Sequence, residues 1–161
     1  MCDFKSFVVV YREGQPPDIV HFPRVNSHTE IMEMGNLREL RGRDAKDQKI
    51  ARVELTPPND TSQISDITAW NWKLDEDRKP DWWDDVADKV EKRCRAVVSE
   101  LIVIAGEHEV SSGELIAYGS ASVTAYDSAS VTAYGSASVT AYDSASVTAY
   151  GSASVTAYGS A

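Results

Sequence analysis

The chain contains too few cysteines for a disulfide framework and no long apolar run. Its cysteines, Cys2 and Cys94, are two in number and lie far apart in the sequence, whereas small disulfide-stabilised domains carry several closely spaced pairs. The apolar stretch Phe7–Tyr11 is short and is flanked by Lys5 and Arg12, so it resembles neither a signal peptide nor a transmembrane helix. We therefore expect no signal peptide, no membrane span and a cytoplasmic location.

Catalytic and metal-binding motifs are also missing. His21, His28 and His108 show no ligand spacing with one another or with the cysteines, and neither a nucleophile elbow nor a phosphate-binding loop occurs. The sequence predicts a non-enzymatic protein with no catalytic residue, no metal site and no cofactor. One acidic cluster leaves alternatives open: a small hydrolase or metal-dependent enzyme, or an acidic surface that imitates nucleic acid. A solvated turn whose charges interact favourably with a helix dipole explains the cluster more simply. The cluster comprises Asp75, Glu76, Asp77, Asp81, Asp84 and Asp85.

Positive charge is absent from the C-terminal third. All 16 Lys and Arg lie within residues 1–108, and the charged residues beyond them are Glu109, Glu114, Asp127 and Asp143. The formal net charge of −9 disfavours nonspecific binding to nucleic acid or to an anionic membrane. Because residues 109–161 carry little charge to resist self-association, the expected partner is a second copy of the chain.

Residues 1–108 predict a small α+β head, a capping domain of antiparallel strands covered by one long helix. Ser27 with Glu30 indicates a short helix that ends at Gly35. Helical spacing of apolar residues, including Cys94, indicates a long helix that starts after Pro80 and reaches about residue 101. The tryptophans are predicted to lie in the core. The predicted strands are 4–11, 19–22, 50–55 and 70–74.

Residues 109–161 consist largely of an eight-residue repeat. The sequence Ser-Ala-Ser-Val-Thr-Ala recurs unchanged between tyrosines, and the residue after each tyrosine is Gly or Asp. Residues 110–117 fit the same frame as a degenerate first unit. An exact short repeat places every unit in the same environment, which stacking into a β-solenoid provides. An antiparallel meander and a disordered linker are the alternatives. The repeated tyrosines are Tyr118, Tyr126, Tyr134, Tyr142, Tyr150 and Tyr158.

Strand alternation in each unit predicts Ala and Val inside the solenoid and Ser, Thr and Tyr outside. The Gly or Asp after each tyrosine suits the bend between strands. With eight residues per coil the tyrosines form one ladder, and with sixteen they form two; both are possible. The predicted core valines are Val123, Val131, Val139, Val147 and Val155. The predicted hydroxyl files are Ser122, Thr124, Ser130, Thr132, Ser138, Thr140, Ser146, Thr148, Ser154 and Thr156.

The repeat runs to Ala161 without a capping sequence, and no Lys or Pro guards its strands. An unprotected strand edge invites pairing with another chain. We therefore expect at least a dimer, formed through the solenoid end or through the tyrosine ladders.

Three segments of the head together resemble a group of uncharacterised phage and prophage proteins that join a small head to a C-terminal octapeptide tract. The resemblance implies a phage source and this architecture. The tail is also similar to the sixteen-residue coils of bacterial ice-nucleation proteins, although its files are Ser-Val-Thr rather than paired Thr. The three segments are Asn26–Ile31, Ala51–Pro58 and Lys73–Trp83.

The expected function is binding and assembly. The leading hypothesis is a phage-encoded protein that self-associates through its solenoid and interferes with host defence by binding a host protein or a small ligand. The alternatives are an ice- or polysaccharide-binding solenoid that uses its hydroxyl files and tyrosines, and the enzyme at the acidic cluster described above.

Overall fold

The fold combines an antiparallel sheet with two helices and a parallel β-solenoid, so the predicted α+β head followed by a solenoid is confirmed. The computed structural model describes residues 5–161, and the predictions for Cys2 and Phe4 lie outside them. The chain divides into two compact units. One comprises the described part of Met1–Pro57 together with Trp70–Val97, and the other comprises Pro58–Ala69 together with Val98–Ala161.

The head sheet has four antiparallel strands in the order β2-β1-β3-β4. Its central strand β1 is buried along its whole length, because β2 and β3 flank it and helix α1 contacts it. On one side, Val8, Val10 and Ile50 pack with Ile31 and Met32 of that helix. The strands are β1 Lys5–Val10, β2 Asp18–Val20, β3 Ile50–Thr56 and β4 Asn71–Leu74.

Both predicted helices are present, and the second begins later than predicted. Helix α1 spans His28–Met34, with Ser27 Oγ accepting a hydrogen bond from the Glu30 backbone N–H at 3.4 Å. Helix α2 spans Ala87–Leu101. The residues before it form a 3₁₀ turn, Trp83–Asp85, whose bonding is tighter than that of an α-helix.

The head core contains aromatic rings and a thiol, as the sequence predicts. Trp70, Trp82 and Trp83 are buried, whereas Trp72 is only partly buried. Trp82 Nε1 donates to the Gln48 carbonyl at 2.6 Å. Cys94 on helix α2 is fully buried, and this burial raises the pKa of its thiol to about 12. Because the thiolate is the reactive form, Cys94 acts as a core residue and not as a nucleophile.

The solenoid repeats every sixteen residues and not every eight. Ser122 pairs in register with Ser138, and Ser138 pairs with Ser154, all in parallel strands. A second parallel ladder runs from β6 through β7 to β9. Strand β5 pairs along β6, although the sequence of β5 does not contain the eight-residue repeat. The strands are β5 Ile102–Val110, β6 Glu114–Ala125, β7 Ser130–Ala133, β8 Ser138–Ala141, β9 Ser146–Ala149 and β10 Ser154–Ala157.

Each bend between short strands is a four-residue turn that explains why Gly or Asp follows each tyrosine. In the turn that begins at Tyr126, the Ala129 N–H donates to the Tyr126 carbonyl at 3.0 Å. The residue after tyrosine has positive φ, 50° at Asp127 and 65° at Gly135. Gly reaches this region without strain, and Asp is among the few other residues that tolerate it.

The solenoid core consists of small side chains whose burial depends on a neighbouring coil. Val123, Val131 and Val139 are each 1% exposed, and the alanines of the same strands are buried beside them. Val147 is partly buried, and the prediction that Val155 lies in the core is wrong: it is 41% exposed, because within the described residues β10 has a strand neighbour on one side only. Among the described residues, no helix is both long and apolar enough to cross a membrane.

Candidate functional site

The tyrosines of the solenoid form two separate ladders, because consecutive tyrosines lie on opposite strand ladders. Tyr126, Tyr142 and Tyr158 stack with ring centroids 5.3 and 5.0 Å apart and with nearly parallel planes. Tyr134 and Tyr150 stack in the other ladder at 5.0 Å. Stacked rings keep one face against a neighbour and present their edges outward. The two-ladder version of the prediction is confirmed.

The expectation that every tyrosine faces outward is wrong at Tyr134, which is 5% exposed. This ring lies inside its ladder, stacked on Tyr150. Tyr158 is 53% exposed and the remaining solenoid tyrosines are partly buried. The accessible aromatic surface therefore increases towards β10.

The predicted hydroxyl files form in register on the solenoid surface. Ser122, Ser138 and Ser154 are exposed and are paired in one ladder. The threonines two residues further along each strand form a parallel file that is partly buried until it reaches the exposed Thr156. Paired strands place successive hydroxyls about 4.8 Å apart. This regular polar surface could contact a repetitive ligand.

Strands β9 and β10 form the last coil, and within the described residues each pairs with a strand on one side only. The outer side of this coil is here called the terminal-coil edge. Ser154 and Tyr158 donate their backbone N–H groups to Ala137 and Ala141 of the preceding coil at 2.9 and 2.8 Å. In a parallel ladder alternate residues direct their backbone groups to opposite neighbours. The backbone groups of Val155 therefore point away from the preceding coil.

The acidic residues of the head are held by different partners. Lys73 Nζ donates to Asp75 Oδ1 at 2.9 Å, and this bond holds the pKa of Asp75 below its usual value. Lys79 Nζ donates to Asp84 at 2.6 Å on the surface. Asp85 lines a groove of about 460 Å³ beside Tyr11. The acidic segment thus supplies several separate contacts.

Glu76 forms the most buried ion pair of this acidic segment. Its side chain is 5% exposed and receives three hydrogen bonds from Arg52, from the backbone N–H at 2.9 Å, from Nε at 3.0 Å and from Nη2 at 3.1 Å. The carboxylate is the largest cause of the raised pKa of the Arg52 guanidinium. This pair joins strand β3 to the segment that follows β4.

A mixed cluster of one imidazole and two carboxylates, here called the His28 cluster, lies beside this pair. Its members are His28, Glu54 and Asp75, whose candidate ligand atoms all lie within 4.8 Å of one another. His28 Nδ1 lies 3.5 Å from Asp75 Oδ2 and 3.9 Å from Glu54 Oε1. His28 is 9% exposed and Glu54 is 16% exposed. These donor types suit a divalent metal ion.

Sequence spacing did not reveal the His28 cluster, because its members come from three separate elements. His28 opens helix α1, Glu54 lies in β3, and Asp75 follows β4. The antiparallel pairing of Glu54 with Lys73 brings the end of β4 towards Glu54. The one available signal was the alternation in β3, which places Glu54 on the same polar face as Arg52 and Thr56, opposite the buried apolar face of the strand.

The head and tail together define a class of architecture, an α+β domain followed by a parallel β-solenoid with sixteen-residue coils and stacked tyrosines. Comparison of the chain with protein-family models, with curated proteins and with solved structures returned no match.

Proposed function

We propose that this protein is a non-enzymatic binding and assembly protein that associates with a second copy through the terminal-coil edge. The observation that carries the proposal is the exposure of this coil. Val155 is 41% exposed where the equivalent Val139 is 1% exposed, and Tyr158 is 53% exposed. Within residues 5–161 no strand pairs with the outer side of this apolar edge, and such an edge binds most readily to another strand.

A second copy fits this edge because it carries the same spacing of backbone groups and the same apolar file. Two edges related by a two-fold axis would pair β strands across the interface and cover both copies of Val155. Residues 109–161 contain no Lys, Arg or Pro, the residues that commonly block such pairing. Tyr158 would also gain a stacking partner on its exposed face.

The test is sedimentation velocity of the full chain over a range of concentrations. Wild type is expected to dimerise or assemble further, whereas Val155→Lys should weaken association by at least about 100-fold, because the interface would bury two ammonium groups. Ser138→Lys is the matched control, since it places the same charge on an exposed file of an inner coil.

Ser138→Lys should leave pairing through the terminal-coil edge intact. It would weaken only a side-by-side contact between solenoids through the serine file that contains Ser138. Circular dichroism is the check that both variants retain the wild-type fold. Monomeric wild type at every concentration, or equal association of wild type and Val155→Lys, would contradict the proposal.

The finer role proposed is interference with a bacterial host's defence by a phage-encoded cytoplasmic protein whose head binds a host protein or a small ligand. The resemblance of the head segments to phage and prophage proteins supports this role. The acidic head, with no catalytic motif in its sequence, is consistent with it.

A second candidate, recognition of ice or a polysaccharide, is favoured by the in-register files of Ser122, Ser138 and Ser154. Thermal hysteresis or glycan binding that Ser138→Lys abolishes would favour this candidate over self-association.

A further inference from the structure

We propose that His28, Glu54 and Asp75 bind a divalent transition-metal ion, with Zn²⁺ the best match to the donor set. The proposal concerns the head and is independent of self-association. It departs from the sequence-based expectation of no metal site, because the three residues come together only through the tertiary fold.

The orientation of His28 is the first argument. Its Nε2 lies 3.1 Å from the Val53 carbonyl oxygen. A carbonyl can only accept a hydrogen bond, so Nε2 carries a proton and Nδ1 is the ring nitrogen that faces the two carboxylates. Metal-binding histidines are usually fixed in this way, with the second ring N–H donated to a carbonyl or carboxylate.

The distances within the His28 cluster are the second argument. At 3.5 and 3.9 Å, His28 Nδ1 is farther from Asp75 Oδ2 and Glu54 Oε1 than a normal hydrogen bond allows. Ligand atoms about 2.0–2.1 Å from a tetrahedral zinc lie about 3.3 Å from one another. These two distances are close to the spacing that a central ion requires, and because all the ligand atoms lie within 4.8 Å of one another, a side-chain movement of about 1.5 Å or less would bring them to it.

The surrounding charges leave one oxygen of Asp75 available. Lys73 occupies Asp75 Oδ1, whereas Oδ2 faces His28. Arg52 is nearby, but its charge is matched by Glu76. Three protein ligands with two negative charges satisfy most of a zinc coordination sphere and leave a position for water.

Bound zinc would join the start of helix α1 to strand β3 and to the segment after β4. Calorimetric titration of chelator-treated full-length protein with ZnCl₂ should give one equivalent of binding and raise the melting temperature. His28→Gln and Glu54→Gln should each lower the affinity at least about tenfold, because each removes a ligand and largely preserves shape. His108→Gln is the control, since His108 also contacts a carbonyl, that of Ala105 at 2.9 Å, and is outside the cluster.

Long-range ¹H–¹⁵N correlation of the histidine rings provides a readout that does not depend on the variants folding. Zinc should shift the His28 Nδ1 resonance and leave Nε2 protonated. A cluster held only by a proton on Nδ1 would show no response to zinc. That result, or zinc binding unchanged by His28→Gln and Glu54→Gln, or lost equally in His108→Gln, would overturn the proposal.

Discussion

Replacing Val139 with Asp is expected to lower the unfolding free energy of the solenoid by roughly 3–5 kcal/mol. Val139 is 1% exposed within a core of alanines and valines, and no Lys or Arg occurs in residues 109–161 to pair with a buried carboxylate. Each coil contacts only the coils next to it. Unfolding of an inner coil therefore also removes the contacts that stabilise the coils on either side. Urea unfolding followed by far-ultraviolet circular dichroism measures the loss.

The repeat provides a matched control for this substitution. Val155 occupies the equivalent position in β10 but is 41% exposed, so Val155→Asp should cost less than about 1 kcal/mol when the protein is dilute enough to be monomeric. All four tryptophans lie within residues 70–83, so their fluorescence reports on the head alone. Equal destabilisation by the two substitutions would contradict the burial difference between the coils.

Replacing Glu76 with Ala is expected to destabilise the head by about 3 kcal/mol or more. The substitution removes three hydrogen bonds and leaves the Arg52 guanidinium, with its side chain 19% exposed, without its carboxylate. Breaking one side of a buried ion pair costs about 3–5 kcal/mol, because the remaining charge is poorly solvated. Urea unfolding followed by tryptophan fluorescence measures this loss.

Asp84→Ala is the control for the ion pair. Like Arg52 and Glu76, Lys79 and Asp84 form an ion pair of a cation with a carboxylate, here at 2.6 Å. Their side chains, however, are 54% and 71% exposed. Exposed pairs contribute about 0–1 kcal/mol, because water and salt screen them. A loss at Glu76→Ala no larger than that at Asp84→Ala would show that the Arg52 contact is not an important source of stability.

The solenoid was largely predictable because its sequence repeats. Each unit meets the same neighbours, so the alternation of Ala and Val with Ser and Thr determines which side chains are buried. The Gly and Asp residues mark the turns for the same reason. Strand β5 lacks the eight-residue repeat. Its parallel pairing with β6 depends on contacts between segments, so the repeat did not predict it. The burial of Tyr134 likewise depends on its stacked neighbours.

The head was predictable in its elements and not in its polar contacts. Local patterns identified helix α1 from Ser27 and Glu30, and strand β3 from its alternation. The pairing of Arg52 with Glu76 and the meeting of His28 with Glu54 span 24 and 26 residues and depend on sheet order, which local patterns do not specify. The acidic cluster was identified as a segment, whereas the fold gives its members different partners.

The central claim is that coils stack every sixteen residues, and disulfide trapping tests it most directly. In a background of Cys2→Ser and Cys94→Ala, the pair Ser122→Cys with Ser138→Cys should oxidise within one chain, since these residues are paired in adjacent strands at about 4.8 Å. The pair Ser122→Cys with Ser130→Cys should not, because eight residues separate positions on different ladders. Faster oxidation of the eight-residue pair would contradict the stacked sixteen-residue coil.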